Sequence, residues 1–71
     1  MTKFEILMKI EGYDDEMEFL QDCTFDSINP GICCNKDCDY TTSIEPDQDK
    51  GWCEECKTNS VKSALILYGI I

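Results

Sequence analysis

The chain contains no histidine and no arginine, and its six lysines face fifteen acidic residues, which gives a formal net charge of −9. A nucleic-acid interface needs clustered lysine and arginine side chains to neutralise phosphates. This charge balance therefore disfavours DNA, RNA and anionic membranes as partners. Without histidine the chain lacks the most frequent general base, and no nucleophile stands at a recognisable spacing from another base. We expect a protein that is not an enzyme.

Long apolar runs are also missing. The longest, Ala64 to Ile71, has eight residues including a glycine, whereas a membrane span needs about twenty. Near the start, Lys3 and Lys9 bracket the segment FEILM, which is too short and too charged for a secretory signal. These features predict a cytoplasmic protein, in the host cytoplasm if the chain is viral. No small-molecule substrate is expected, because so short a chain should hardly build a pocket of roughly a few hundred Å³.

Cysteine, by contrast, is abundant, with six among 71 residues. A chain of this length buries only roughly 60–65% of the surface that its unfolded form exposes, and such domains often add a metal ion, disulfides or a partner subunit. Structural disulfides are rare in the cytoplasm. Closely spaced cysteine pairs in that compartment therefore indicate a metal site.

The spacing of the cysteines predicts a four-thiolate zinc site. Cys53 and Cys56 form one pair with two residues between them, and Cys38 forms a second pair with either Cys33 or Cys34. The fourteen residues between Cys38 and Cys53 are close to the usual separation between the two halves of such sites. Four thiolates close a tetrahedral shell around Zn²⁺ and leave no position for a catalytic water, so the predicted zinc is structural. Iron in the same shell and disulfides are the alternatives.

The chain reads as a single domain, residues 1–71, that begins with an acidic helical leader over 1–29. Residues 3–11 fit either a helix or a strand, because their apolar side chains match both periods. We favour a helical hairpin, in which Gly12 suits the end of the first helix and Asp15 the start of the second.

The middle and last parts of the chain differ in composition from the leader. Residues 30–57 are predicted as the zinc ribbon, in which the strand-like segment DYTTSIE and the turn-like segment PDQDKG make a hairpin with the cysteines at its base. A turn at Asn29-Pro30-Gly31 precedes it. Residues 58–71 are predicted as an apolar C-terminal helix capped by Asn59 or Ser60. The expected fold is thus a small α+β domain with a four-cysteine zinc-ribbon-like β-hairpin between an N-terminal helical segment and a C-terminal apolar helix.

Three stretches of the sequence resemble a known family. DSINPGIC, CDYTTSIEPDQDKGWCEEC and TNSVKSALILYGII look like the pattern of small zinc-ribbon-like proteins found in bacteria and in phages of marine bacteria. The likeness covers residues 26–71, and residues 1–25 match only loosely. The family has no established activity, so the resemblance implies a fold and a metal site rather than a function.

The same resemblance implies which cysteines bind the metal. The first cysteine of the family pattern follows Pro-Gly-Ile, which makes the implied zinc ligands Cys33, Cys38, Cys53 and Cys56. Cys34 is then an extra thiol, and Cys23 is expected to be a buried small apolar residue. A ribbon often has glycine after its last cysteine, whereas Lys57 stands there in this chain, where a left-handed turn would be strained.

The proposed partner surface lies on the last helix. A helix that is apolar nearly all round needs cover on two sides, which a second subunit or another protein would supply. The predicted partner-binding residues are Trp52, Leu65, Ile66 and Tyr68. Trp52 and Tyr40 are expected to flank the zinc, although an exposed Trp52 would instead mark a binding hot spot. We expect a protein-interaction module. The alternatives are a nucleic-acid-associated or transcription-related zinc ribbon and an acidic DNA mimic.

Overall fold

The computed structural model describes residues 2–69 of the chain. Its elements in order are α1 (Lys3–Ile10), α2 (Glu16–Phe25), β1 (Asn29–Cys33), β2 (Thr41–Ile44), β3 (Gly51–Cys53), β4 (Thr58–Ser63) and α3 (Ala64–Tyr68). The predicted small α+β fold is confirmed. Among these elements no helix is long and apolar enough to cross a membrane.

Both leader helices are defined by their caps. The Thr2 hydroxyl accepts a hydrogen bond from the Glu5 N–H, and the Glu5 carboxylate accepts one from the Thr2 N–H, which forms a capping box. α1 ends before Gly12, whose φ of +84° is the left-handed conformation that glycine adopts without strain. The Asp15 carboxylate caps α2 by accepting from the Met17 N–H. The two consecutive leader helices are therefore confirmed, and residues 3–10 are a helix rather than a strand.

The four strands form one antiparallel sheet in the order β2-β1-β4-β3. It consists of two hairpins, β1–β2 and β3–β4, which are joined by the pairing of β1 with β4. The strand predicted over DYTTSIE is confirmed as β2. However, β2 and β3 do not form the single expected hairpin, since they lie at opposite edges of the sheet. The segment at 29–31, predicted as a turn, is the beginning of β1.

Pro30 is tolerated in a central strand because of the register. Cys33 donates its N–H to the Tyr40 carbonyl, and hydrogen-bonded pairs alternate along an antiparallel ladder, so Pro30 and Ser43 form a pair without hydrogen bonds. The proline nitrogen therefore points away from β2 and toward β4. The β1–β4 ladder begins only at Gly31, so no hydrogen bond is lost.

The prediction of a helix over 58–71 was wrong for its first half. Residues 58–63 are strand β4, which pairs with β1 on one side and β3 on the other, so tertiary pairing overrides the local helical pattern. The helix begins at Ala64, and its cap is the Ser63 hydroxyl, which accepts from the Ile66 N–H at 3.2 Å, rather than Asn59 or Ser60. The end of the predicted helix, 70–71, lies outside the described residues.

Two apolar clusters stabilise the fold. The first fills the space between the helices and the sheet, and its buried members are Phe4, Leu7, Phe19, Leu20, Cys23, Ile32, Ala64 and Leu65. The second surrounds the cysteines and includes Ile44 and Val61. Both side chains lie over Gly31, which must be glycine because a Cβ there would lie 2.5 Å from Ile44 Cδ1 and 2.9 Å from Val61 Cγ1.

Candidate metal centre

The first cysteine turn, residues 33–38, connects β1 to the segment that leads into β2. The Cys38 N–H donates to the Asn35 carbonyl at 3.3 Å, and Asp37 takes a left-handed φ of 66°. Hydrogen bonding from the Asn35 backbone N–H lowers the pKa of Cys33, and that from the Tyr40 backbone N–H acts to lower the pKa of Cys38. Such bonds stabilise thiolates, which are the form of cysteine that binds metal.

The second cysteine turn, residues 53–57, connects β3 to β4 and also contains a backbone N–H that donates to sulfur. The Cys56 N–H donates to Cys53 Sγ at 3.3 Å, and the Lys57 N–H donates to the Cys53 carbonyl at 2.7 Å. Lys57 has a φ of 57°, which is the left-handed turn expected after the last cysteine. A residue with a side chain is less stable there than glycine, by roughly 1–2 kcal/mol.

The two turns bring four sulfur atoms together. The Sγ atoms of Cys33, Cys38, Cys53 and Cys56 all lie within 4.8 Å of one another. Cys38 and Cys53 are 3.7 Å apart, and Cys33 and Cys56 are 3.9 Å apart. Around a metal with bonds of about 2.3 Å, the sulfur–sulfur edge of a tetrahedron is about 3.8 Å, whereas a disulfide requires about 2.05 Å. All four cysteines are free, so their spacing fits a metal ion and does not fit disulfides.

The surroundings of the cluster restrict access by water. Cys33 and Cys53 have no exposed surface and Cys38 has 9%, while Cys56 is half-buried. The Ser60 hydroxyl lies 3.1 Å from Cys33 Sγ. Buried thiolates with hydrogen-bonded partners are typical of closed structural sites.

The environment also shifts the acidity of the thiols. Burial raises the pKa of Cys33, but hydrogen bonds from the Ser60 hydroxyl, the Asn35 backbone and the neighbouring thiols outweigh it and lower the pKa to about 7. At Cys38 the Tyr40 backbone N–H lowers the pKa, whereas the neighbouring thiols and burial raise it, with a net result of about 12. Without metal the cluster thus holds at least one thiol proton that a divalent cation would displace.

The two remaining cysteines lie outside the cluster. Cys34 follows Cys33 directly, and successive side chains of an extended segment point to opposite faces, so only Cys33 joins the other three. Cys34 is half-buried, and burial raises its pKa. Cys23 is 3% exposed in the apolar core, where burial raises its pKa to about 11. It is the buried apolar residue expected from the sequence.

The predicted partner-binding residues are not all on the surface. Trp52 is 47% exposed and Tyr68 is 43% exposed, and Ile66 is half-buried. Leu65 is only 6% exposed, because it faces the core between the helices and the sheet, so its assignment to a partner surface is corrected. Of the two aromatic residues expected to flank the metal, Tyr40 packs against the cysteine cluster, whereas Trp52 is open to solvent.

Sequence reasoning missed several exposed apolar side chains and the contact of Lys3 with residues 38 and 39. Phe25 is 82% exposed, Met17 is 67% exposed and Ile28 is 53% exposed. A helical wheel of α2 would have shown that Phe25 lies off the buried stripe.

Lys3 donates from Nζ to the Cys38 carbonyl and lies 3.2 Å from the Asp39 carboxylate. No local pattern marks Lys3, because its partners lie 35 and 36 positions further along the chain.

The fold and the cysteine cluster together define a small α+β protein whose four clustered cysteines fit a zinc ribbon. Comparison with protein-family models, curated proteins and solved structures gave no match of any of the three kinds. The function is therefore argued from the site itself.

Proposed function

We propose that this chain is a small non-enzymatic zinc-binding protein that serves as a protein-interaction module. In this proposal Zn²⁺ is bound by Cys33, Cys38, Cys53 and Cys56 and holds the tips of the two hairpins together. The observation that carries the proposal is the grouping of these four Sγ atoms within 4.8 Å, with two measured separations close to the edge of a tetrahedral zinc–thiolate shell. The proposal extends to a cytoplasmic location and to the bacterial and phage family that the sequence resembles.

The donor set favours zinc in a structural role. Soft thiolates in a tetrahedron select zinc or iron, and zinc is the usual ion where two short cysteine turns face each other. With four thiolate ligands the ion has no free position for water or substrate, so it supplies folding free energy rather than Lewis-acid chemistry. A small protein with a limited core gains most from such an ion.

Charge supports a protein partner over a nucleic acid. Four thiolates and one Zn²⁺ add −4 + 2 = −2, so the formal net charge of −9 becomes −11. Residues 29–63, which contain the sheet and both cysteine turns, hold four lysines and seven acidic residues. A polyanion would therefore be repelled by the ribbon itself. The alternative function, a nucleic-acid-associated zinc ribbon, would require a basic surface, which these residues do not provide.

Exposed apolar side chains support an interaction role. Phe25, Met17, Ile28 and Trp52 each expose between 47% and 82% of their surface. Aromatic residues and methionine are enriched where proteins bind one another, so another protein or a second copy of this chain would gain stability by covering them.

Two cysteine variants test the metal site directly. Protein purified under reducing conditions should contain one zinc ion per chain by elemental analysis, and Cys56→Ser should lose it. Cys34→Ser is the matched control, because it removes a thiol that lies outside the cluster, and it should keep one ion. Retention of stoichiometric zinc by Cys56→Ser, or loss of zinc from Cys34→Ser, would contradict the assigned ligand set.

A further inference from the structure

The sheet has a free edge at β2. β2 is the outermost strand next to β1, and its hydrogen-bonded pairs with β1 include Gly31 with Thr42. The intervening residues, Thr41 and Ser43, therefore direct their backbone N–H and C=O groups away from β1. Such an edge is a template to which an extended segment of another chain can add as a strand.

A cleft of about 320 Å³ is lined by residues of this edge strand and of its neighbour β1. Sequence length led us to expect no pocket of this size, but Glu11 and Asp26, at the C-terminal ends of the two leader helices, line the cleft together with the strand residues. The lining residues are Glu11, Asp26, Ile28, Asn29, Pro30, Thr41, Thr42 and Ser43. The cleft thus brings residues of the edge strand together with two acidic residues.

Asn29 in this lining has an unpartnered acceptor. Its side-chain nitrogen donates to the Cys23 carbonyl at 2.9 Å and lies 3.4 Å from the Asp26 carbonyl, which fixes the orientation of the amide. Its Oδ1 atom is buried and has no hydrogen-bond partner among the described residues. A buried polar atom without a partner is unfavourable, so a donor that reached Oδ1 would be stabilising.

The cleft offers acceptors and negative charge but no cation. The side chains of Glu11, Asp26 and Asn29 all contribute acceptor oxygens, and none of the six lysines lines the cleft in the described part of the chain. The ligand group that fits is a cation with several N–H donors. An arginine guanidinium presents five donors in a plane and matches carboxylate and amide oxygens, and Ile28, which is 53% exposed, offers apolar surface for its stem.

We infer that this cleft binds an extended, arginine-containing segment of a partner protein, which adds to β2 as a strand and inserts its guanidinium beside Glu11 and Asp26. The inference rests on the proposed function, since it names the surface and the partner of an interaction module. Backbone hydrogen bonds to Thr41 and Ser43 supply the affinity, and the two acidic residues select the side chain.

The first test uses zinc-loaded, ¹⁵N-labelled protein and two short probes. One probe is a blocked five-residue peptide of threonine and valine with arginine at its centre, and the other has glutamate in place of arginine. The arginine peptide should shift the amide resonances of residues 41–43 and of Glu11, Asp26 and Asn29, and it should bind roughly tenfold more tightly than the glutamate peptide. Equal binding of the two peptides, or shifts confined to Trp52 and Phe25, would overturn the inference.

The second test separates charge from strand addition. Glu11→Gln combined with Asp26→Asn should weaken the arginine peptide roughly tenfold, whereas Asp47→Asn with Asp49→Asn makes the same change in net charge elsewhere and should leave binding unchanged. Ser43→Pro removes one outward N–H without touching the β1 ladder and should abolish binding. Ser43→Val keeps that N–H and should bind like the parent.

The metal content of every sample distinguishes the two proposals. Suppose that the parent protein and Ser43→Pro each hold one zinc ion and melt at the same temperature. If Ser43→Pro then binds the arginine peptide as tightly as the parent does, the strand-addition inference fails and the zinc assignment stands. If the parent chain lacks zinc, the proposed function fails whatever the peptides do. Absence of any peptide binding by the zinc-loaded parent also overturns the inference.

Discussion

Lys3 joins the first helix to the first cysteine turn. Its Nζ atom donates to the carbonyl of Cys38 and lies 3.2 Å from a carboxylate oxygen of Asp39, and the Lys3 side chain is only 21% exposed. The first turn of α1 is therefore fastened to the backbone of a predicted metal ligand. This contact couples the helical leader to the ribbon across 35 positions of the chain.

Lys3→Met should lower the stability of the zinc-loaded protein. The methyl-tipped side chain keeps the aliphatic stem but leaves the Cys38 carbonyl without its charged donor, at a cost of about 1–2 kcal/mol. For a domain of this size that corresponds to a fall in melting temperature of roughly 5–10 °C. Lys9→Met, on the same helix and exposed, is the control and should melt within a degree or so of the parent. Equal melting temperatures for the two variants would show that the Lys3 contacts do not stabilise the fold.

Removal of the metal should unfold the ribbon. Structural zinc contributes on the order of 10 kcal/mol in small finger peptides, and the thin core of this chain cannot replace it. Trp52, the one tryptophan in the sequence, adjoins Cys53 and should report the loss through its fluorescence when EDTA is added. Cys34→Ser should behave like the parent. Cooperative unfolding that is unchanged in a sample proven to be metal-free would argue against a structural ion.

Lys57→Gly should stabilise the protein. Lys57 holds a left-handed φ of 57°, a conformation that glycine adopts without the clash of a Cβ atom, and the gain after the entropy of glycine is subtracted is about 0.5–1 kcal/mol. Asp37→Gly is the comparison, because φ is 66° there but aspartate tolerates this region better. We expect denaturant midpoints to rise more for Lys57→Gly than for Asp37→Gly. The reverse order would contradict this reason.

The Tyr13 hydroxyl should lose its proton at a higher pH than an ordinary tyrosine. Its hydroxyl donates to the Asp22 carboxylate, which together with burial raises the pKa of Tyr13 from 10.0 to about 12. Because the folded pKa lies above the unfolded one, the stabilisation is fully present below pH 10 and is lost as the pH rises toward 12. Asp22→Asn should return the phenol absorbance titration of Tyr13 toward its ordinary range. Asp26→Asn, one helical turn further along, should leave the pKa of Tyr13 near 12. An unchanged Tyr13 titration in Asp22→Asn would show that Asp22 does not cause the shift.

Local signals in the sequence were sufficient for several parts of the structure. Gly12 and Asp15 mark the end of one helix and the start of the next, because the caps depend on residues only a few positions apart. The spacing of Cys53 and Cys56 predicts a tight turn for the same reason. The left-handed residue after Cys56 also follows from local geometry, even though lysine occupies it.

What only the tertiary structure decided involves contacts between distant segments. Residues 58–63 carry a helical pattern but form β4, because they lie between β1 and β3 and gain hydrogen bonds on both sides. Leu65, expected on the surface, is buried since α3 packs onto the helical leader. Cys33 rather than Cys34 joins the cluster because its side chain lies on the face that meets the turn at residues 53–57. The sequence by itself determined that two cysteine turns would form, whereas pairing across the sheet decided which sulfur atoms meet, because the register of β1 with β4 joins segments that lie far apart in the chain.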